Sequence, residues 1–197
     1  MCVYVGDDAE LFERALRSVL DQTYADGPIR IYLCVDGPVP DAIESVLAHH
    51  RDQLRCVVRN EIGQGLAKSL NRLIGQLADE AFVFRMDSDD YAVPERFALQ
   101  ATHLRAHPEI DILGGGIAEV EKSGDVIREV RYPAEAARIR TLIAARNPVA
   151  HPTVCFRRAA ISVFEAYPET AINQDWALWF EVLQLGLSIS NLDRILV

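Results

Sequence analysis

Acidic side chains cluster in one short segment of this chain. Asp87, Asp89 and Asp90 follow a run of apolar residues and are separated from one another by at most one position. Residues two apart in an extended segment point to the same side, so Asp87 and Asp89 could bind one divalent cation through oxygen ligands. Short acidic motifs recur by chance. The position directly after an apolar strand is what favours a metal site over a solvated acidic turn.

Two further acids and one histidine lie at positions typical of ligand-binding or catalytic residues. Asp36 ends the apolar segment 29–35. Asp175 lies in the first turn of a predicted helix, where a carboxylate stays ionised as a general base must. The alternative for Asp175 is a simple interaction with the helix dipole. His151 lies in the segment 147–153, beside a proline, and is either a site residue or a residue that fixes a loop.

The sequence does not support four other kinds of functional site. Counting from Asp87, an EF-hand loop would need Gly and Glu where Ala92 and Ala98 stand. A dinucleotide fingerprint at Gly63 and Gly65 would need a third glycine where Lys68 stands. No G-x-S-x-G segment supports a serine hydrolase. The four cysteines have no zinc-ligand spacing, and three of them lie in apolar, strand-like segments, which predicts buried, reduced thiols.

These side chains need a scaffold, and the first half of the chain predicts one. Apolar segments with the character of strands alternate with segments of helical periodicity. Such alternation predicts a mostly parallel sheet flanked by helices, with ligands bound beyond the carboxyl ends of the strands. The predicted strands are 2–5, 29–35, 55–58 and 81–86, and the predicted helices are 9–21, 40–49, 65–78 and 94–106.

The second half predicts a more irregular arrangement. A hairpin turn at Ser123-Gly124 separates strand-like segments 110–120 and 126–132. We therefore expect a single α/β domain over 1–197. The predicted helices of this half are 134–145, 157–165 and 174–186.

The composition excludes some classes of function. The 197 residues carry 29 acidic and 20 basic side chains, for a formal charge of −9, which argues against a nucleic acid partner. Half of the residues are hydrophobic, as in a soluble globular protein. There is neither a signal peptide nor an apolar run long enough to cross a membrane. Both ends of the chain look cut close to a folded core, so we expect a longer native protein, with more chain after Val197.

Eight segments, taken in order, resemble the family 2 glycosyltransferases of the GT-A fold. The resemblance is strongest to the bacterial branch that builds extracellular or surface polysaccharides. It implies a nucleotide-sugar-binding half, 1–105, and an acceptor-side half, 106–197. The segments are 3–4, 15–23, 35–38, 65–71, 85–97, 107–114, 147–154 and 174–179.

The resemblance assigns donor-side roles residue by residue. Tyr4 would stack on the nucleotide base, and Asp36, the one acid of a turn that has two in most of the family, would hydrogen-bond the base edge, typically of uracil. Asp87 would face the ribose and the metal, and Asp89 the metal and the donor diphosphate. Asp90 would shape the turn. The implied cofactor is Mn²⁺ or Mg²⁺.

The acceptor side is assigned in the same way. Asp175 matches the catalytic base of an inverting transferase, with Gln174 where the family has glutamate. His151, Trp179, Gln174 and Asp90 would line the site. The implied partners are a nucleotide-sugar donor and a saccharide or lipid-linked acceptor. The implied location is the cytoplasm, at the inner face of the membrane if chain outside these residues contacts lipid.

Two alternatives remain open. One is a glycosyltransferase-like domain that binds nucleotide sugar without turnover. The other is a nucleotidyltransferase on a related sheet, which would need a glycine-rich and basic loop after the first strand. The segment 6–10, Gly-Asp-Asp-Ala-Glu, is acidic instead.

Overall fold

Strand and helix alternate in the first half of the chain, and antiparallel pairing enters in the second. The computed structural model describes residues 1–121, 123–170 and 172–197. The strands are β1 (Cys2–Tyr4), β2 (Ile31–Asp36), β3 (Leu54–Asn60), β4 (Phe82–Phe84), β5 (Ile112–Val120), β6 (Val126–Val130), β7 (Cys155–Arg157) and β8 (Ile189–Ile195). The helices are α1 (Ala9–Leu20), α2 (Asp41–His49), α3 (Leu66–Ile74), α4 (Arg96–Ala106), α5 (Ala136–Leu142), α6 (Arg158–Phe164) and α7 (Gln174–Gln184). Single 3₁₀ turns occur at Arg51–Gln53 and His151–Thr153.

The first sheet is parallel, with strand order β1-β2-β3. Its register pairs Tyr4 with Asp36 and Asp36 with Asn60, so the carboxyl ends of the three strands meet at one edge. Helix α1 covers one face through Phe12 and Leu16, both without solvent exposure. The parallel arrangement of the first three predicted strands is therefore confirmed.

The second sheet has the order β4-β7-β5-β6, with β8 also paired to β5. Strand β4 is antiparallel to β7, and Phe82 pairs with Arg157. The expectation that 81–86 belongs to the same parallel sheet as 29–35 was therefore wrong. The partner of β4 is a strand that sequence analysis did not predict, and β8, which runs parallel to β5, was also missed.

The predicted hairpin is confirmed, since β5 and β6 pair antiparallel around Gly124, which has φ +93°. The largest apolar cluster lies between the second sheet and helices α6 and α7, and Phe156 and Trp179 are among its members. The four cysteines are free. Among the described residues, no helix is both long enough and apolar enough to span a bilayer.

Candidate active site

The acidic segment directly follows β4, and a buried arginine fixes its first carboxylate. The guanidinium of Arg85 donates to the carboxylate of Asp87 and to the carbonyl of Met86. Burial is the largest single effect and raises the pKa of Asp87, but the charge of Arg85, its hydrogen bond and smaller charge effects together outweigh burial and leave that pKa below its ordinary value. Asp87 is therefore half-buried and negative at neutral pH, and the neighbouring Asp89 is exposed.

Helix α4 supports this segment from below. Arg96, which is fully buried, donates through Nη2 to the carbonyl of Arg85 at 2.7 Å and through Nε to Gln100 at 3.1 Å. Gln100 in turn donates to the carbonyls of Leu113 and Thr153 at 2.7 and 2.9 Å. Burial lowers the pKa of Arg96 to about 10, so it stays charged at neutral pH. Sequence reasoning assigned no role to Arg96 or Gln100.

Asp90 lies close to two other carboxylates, which carry the same charge. Burial raises the pKa of Asp90 to about 6, and the charges of Asp87 and Asp89 contribute to that rise. A bound cation would relieve this repulsion, since opposite charges at close range favour the ionised form. The donor set fits a divalent metal, because carboxylate oxygens are the ligands that Mg²⁺ and Mn²⁺ prefer.

Asp36 uses its carboxylate to hold the loop before α3. It accepts hydrogen bonds from the backbone N–H groups of Gln64 and Gly65, both at 2.8 Å, and from the Asn60 side chain at 2.6 Å. Burial raises the pKa of Asp36, but these hydrogen bonds outweigh burial and leave that pKa below its ordinary value. Asp36 is therefore ionised and fixes the geometry of the loop at the edge of the sheet.

Tyr4 stands at the same edge, and its ring is available to a ligand. Its side chain is about half exposed, at 52%. The ring lies so close over Gly6 that a Cβ there would come within 2.6 Å of the ring atom Cζ. A larger residue at position 6 would push the ring from its place, because real Cβ contacts are not that short.

Asp7 joins the Tyr4 loop to the acidic segment, and sequence reasoning did not identify it. The backbone N–H of Tyr4 donates to Asp7 Oδ2 at 3.0 Å, and the hydroxyl of Ser88 donates to the same oxygen at 2.9 Å. Burial raises the pKa of Asp7 above its ordinary value. The signal available in the sequence was the acidic segment after β1.

His151 and Trp179 lie beneath the site rather than at its surface. The Nε2 atom of His151 is 3.0 Å from the Tyr167 hydroxyl, and its ring meets that of Trp179 edge to face. Burial, together with the charge of Arg85, lowers the pKa of His151 to about 3, so it is neutral. Trp179 has no exposed surface. The expectation that it lines the site is corrected: it packs in the core.

Asp175 is held at the start of α7. The side-chain N–H of Asn147 donates to Asp175 Oδ2 at 2.7 Å. Burial is the main cause of a raised pKa at Tyr167, and the charges of Asp87 and Asp175 both add to it. Gln174, the first residue of α7, is half-buried beside Asp175.

Another group of side chains could also hold a cation. Glu13, His49 and His50 offer ligand atoms within 4.8 Å of one another, where α1 meets the end of α2. The side chain of Arg17 donates a hydrogen bond to Glu13 Oε1 at 2.6 Å, and the positive charge of Arg17 opposes the binding of a cation there. This group contains none of the acids after β4, so it is separate from the predicted metal pair.

The comparison with known families now decides the assignment. Residues 1–164 match the family model described as glycosyl transferase family 2. The chain belongs to glycosyl transferase family 2. An uncharacterised glycosyltransferase of Haemophilus influenzae is 33% identical over the whole chain, which spans 73% of that protein. The amylovoran biosynthesis glycosyltransferase AmsE of Erwinia amylovora is 30% identical, with 99% of this chain and 72% of AmsE covered.

Solved structures show the fold. Staphylococcus aureus TarS residues 1–349, in complex with UDP-GlcNAc, superposes with a TM-score of 0.75 at 20% identity, covering 99% of this chain and 56% of that one. The mannosyltransferase PcManGT of Pyrobaculum calidifontis, in complex with GDP-Man and Mn²⁺, gives a TM-score of 0.69 at 15% identity, covering 98% and 54%. The chain thus spans little more than half of these structures. This glycosyltransferase has the GT-A fold, as the sequence predicted.

Proposed function

We propose that this chain moves a sugar from a UDP-sugar to a hydroxyl group of a saccharide or lipid-linked saccharide, with a divalent cation and with inversion at the anomeric carbon. One observation carries the proposal. The carboxylate of Asp7 accepts hydrogen bonds from the N–H of Tyr4 and from the hydroxyl of Ser88, so the half-exposed ring of Tyr4 and the acidic segment are held at one edge. This supports one donor cleft between the loop after β1 and the acidic segment, and the family resemblance assigns Asp175 to its acceptor side.

The donor end of the cleft is formed by the first sheet. The half-exposed ring of Tyr4 offers a stacking surface for a base. Asp36 lies at the same edge of the sheet, and its carboxylate accepts hydrogen bonds from the loop that precedes α3. The complex of TarS with UDP-GlcNAc supports a uridine nucleotide as the donor class. We assign Tyr4 to stacking and Asp36 to the base edge, directly or through the loop that it fixes.

Asp87 and Asp89 would hold the cation. Asp89 is exposed and Asp87 is fixed by Arg85, so the pair joins one adaptable ligand to one rigid ligand. When bound, Mn²⁺ or Mg²⁺ would supply positive charge against the departing diphosphate. The Mn²⁺ in the PcManGT complex supports this choice of cofactor. Asp90, which already carries a raised pKa, would shape the turn around these two ligands.

Asp175 would act as the base. The hydrogen bond from Asn147 orients its carboxylate and leaves the second oxygen for an acceptor hydroxyl. The acceptor oxygen gives its proton to Asp175 and forms a bond to the anomeric carbon. The bond from that carbon to the diphosphate breaks, and the nucleoside diphosphate leaves with the electron pair. Attack opposite the leaving group inverts the configuration.

The acceptor side, 106–197, would receive the saccharide. Gln174 is half-buried and next to the proposed base, so it is the better candidate for an acceptor contact than the buried Trp179. The polysaccharide role in the name of AmsE supports a saccharide acceptor. A cytoplasmic location at the inner membrane face stays a prediction.

Calorimetry of UDP binding tests the donor site. We expect UDP to bind at least tenfold more tightly with Mn²⁺ than with a chelator, because the diphosphate otherwise meets like charges. Asp89→Asn should remove most of that gain. Asp52→Asn, which changes an exposed acid in the 3₁₀ turn Arg51–Gln53, should leave it intact. Equal affinity with and without metal would contradict the proposal.

Slow hydrolysis of a UDP-sugar separates turnover from binding alone. A chain that binds UDP with Mn²⁺ and releases the sugar to water is a transferase domain. A chain that binds without hydrolysis supports the alternative of a binding domain. Pyrophosphate release from a nucleoside triphosphate and a sugar phosphate would instead support a nucleotidyltransferase.

A further inference from the structure

Two histidines and one glutamate come together where α1 meets the end of α2, and they share no residue with the proposed donor cleft. The ligand atoms of Glu13, His49 and His50 all lie within 4.8 Å of one another. Two imidazoles and a carboxylate are a donor set typical of zinc, whereas Mg²⁺ prefers oxygen ligands alone. Sequence reasoning did not identify this group, because Glu13 and His50 lie 37 positions apart.

Buried apolar contacts fix the two helices that carry these ligands. Phe12, which precedes Glu13 on α1, shares one buried cluster with Ile43 and Leu47 of α2. His49 is the last residue of α2. Side chains on packed helices are positioned more precisely than those on loops. The distance between Glu13 and the end of α2 is therefore set by the core rather than by the surface.

The ring of His50 is buried and is held in one orientation by Gln53. The Nδ1 atom of His50 lies 2.5 Å from Oε1 of Gln53, in the 3₁₀ turn that follows α2. The backbone N–H of Gln53 donates to the carbonyl of His50 at 2.9 Å, so the turn itself holds Gln53 in place. An amide oxygen only accepts, so Nδ1 carries the proton and Nε2 presents its lone pair. Histidines that bind metals are oriented in this way by the other ring nitrogen.

The lone pair of His50 faces a carboxylate. Its Nε2 atom is 3.0 Å from Oε1 of Glu13, and two acceptors this close repel each other unless a positive charge lies between them. Bonds of about 2.1 Å at a tetrahedral zinc ion separate two ligand atoms by roughly 3.4 Å, so a shift of a few tenths of an ångström admits the ion. A proton would bridge these two atoms alone, whereas a zinc ion also uses the ring of His49.

Arg17 is the group that competes with a cation for Glu13. Its Nε atom donates to Oε1 of Glu13 at 2.6 Å, but the Arg17 side chain is 60% exposed. Exposed pairs one helical turn apart contribute little to stability, because solvent screens the two charges. Arg17 can therefore turn into solvent when a cation binds, and its charge lowers the affinity of the site without closing it.

We propose that Glu13, His49 and His50 form a zinc site, in which a water molecule completes a tetrahedral coordination. The bound ion joins α1 to the end of α2. It also holds the last turn of α2, where the N–H of His50 donates to the carbonyl of Val46 at 3.1 Å. Because only three ligands come from the protein, one position stays open to water. The site therefore differs in ligand chemistry from the carboxylate pair after β4.

Zinc binding to the whole chain, stripped of metal by a chelator, tests the site. Zn²⁺ is titrated in excess Mg²⁺, which takes the oxygen ligands of Asp87 and Asp89 and competes poorly for imidazole. We expect one zinc ion per chain, bound about tenfold or more weakly in His49→Gln, which changes an exposed ring. His103→Gln, on α4, is the matched control and should bind zinc as the parent does. Equal affinities in His49→Gln and the parent would overturn the proposal.

Two further measurements assign the ion to this place. Gln53→Leu removes the acceptor that orients His50, so the affinity for Zn²⁺ should fall by about tenfold or more. Hydrogen exchange at the His50 amide should slow by about tenfold when Zn²⁺ is added to the parent, because the ion holds the end of α2. The same exchange rate should not change in Glu13→Gln. Zinc that binds without slowing exchange at His50, or that is lost in Asp89→Asn instead, would overturn the proposal.

Discussion

The hydroxyl of Ser88 donates a hydrogen bond to Asp7 at 2.9 Å, and this contact joins the loop after β1 to the acidic segment after β4. The same carboxylate oxygen accepts the backbone N–H of Tyr4 at 3.0 Å. Strands β1 and β4 belong to different sheets, so the ladder does not set the distance between their ends. Asp7 therefore fixes the proposed stacking residue relative to the proposed metal ligands.

Replacing Asp7 tests this positioning role. We expect Asp7→Ala to weaken UDP binding in the presence of Mn²⁺ by about tenfold, since two hydrogen bonds of about 1 kcal/mol each are lost. Ser88→Ala, which removes one of them, should have a smaller effect. Calorimetry with Asp52→Ala as the exposed control measures both. Unchanged UDP affinity in Asp7→Ala would show that Tyr4 keeps its place without this contact.

Arg96 supports the acidic segment, and its removal should loosen it. In Arg96→Met the carbonyl of Arg85 and the side chain of Gln100 lose their partner, at a cost of about 1–3 kcal/mol for each buried group. We expect lower stability in urea, together with weaker Mn²⁺-dependent UDP binding well below the melting temperature. Arg105→Met, on the exposed side of the same helix, is the control. If Arg96→Met matches Arg105→Met in both measurements, Arg96 does not position the segment.

The parts of the fold that were predictable are those encoded locally. Strand β2 reads as an apolar run stopped by Gly37, which has φ +86° and lies so close to Gly63 that a side chain would clash. The hairpin turn is encoded by Gly124. These signals need no knowledge of distant chain, which is why the first three strands and the hairpin were confirmed.

The parts that were missed depend on distant pairing. Strand β7 has three residues, Cys155–Arg157, and runs directly into a helix, so it has no periodicity of its own. Strand β8 contains the polar Asn191, which is buried because its side chain donates to the carbonyls of Pro133 and Pro148. Only the folded partners make these segments strands.

The candidate site also contains some residues that a local sequence pattern indicates and others that only distant contacts reveal. Asp87 and Asp89 could be proposed as metal ligands because their position after an apolar strand is visible in the sequence. Asp7, Arg96 and Gln100 act through hydrogen bonds, and two of these partners, Ser88 for Asp7 and Thr153 for Gln100, lie 81 and 53 positions away. Such contacts leave no local pattern, because any polar residue on a covered face would look the same.

Because His151 is buried and neutral, we expect the free energy of unfolding to fall in acid. Its pKa is about 3 in the folded protein, below the ordinary value of 6.5, so the unfolded chain binds the extra proton more readily. The stability that depends on neutral His151 is complete above pH 6.5 and is lost as the pH falls towards 3, by up to about 1.4 kcal/mol per unit.

Chemical denaturation from pH 7 to pH 4.5 measures this loss. His151→Gln keeps a polar partner for the Tyr167 hydroxyl and removes the titration. We expect a shallower decline in its free energy of unfolding than in the parent protein. His49→Gln, which changes an exposed histidine, should decline as steeply as the parent. Equal slopes in His151→Gln and the parent would show that His151 does not cause the acid sensitivity.

Asp175 gives the sharpest test of the proposed mechanism. Asp175→Asn keeps the size of the side chain and can still accept the hydrogen bond from Asn147, so the free energy of unfolding should change little. Turnover should fall by roughly 10²-fold or more, because the acceptor hydroxyl loses its proton acceptor. The affinity for UDP with Mn²⁺ should survive, since the base touches the acceptor rather than the nucleotide. Asp193→Asn, at an exposed acid of β8, is the control for net charge. Transfer is measured against a parent protein whose activity has been established, and near-parental transfer by Asp175→Asn would return this residue to a role in its own helix.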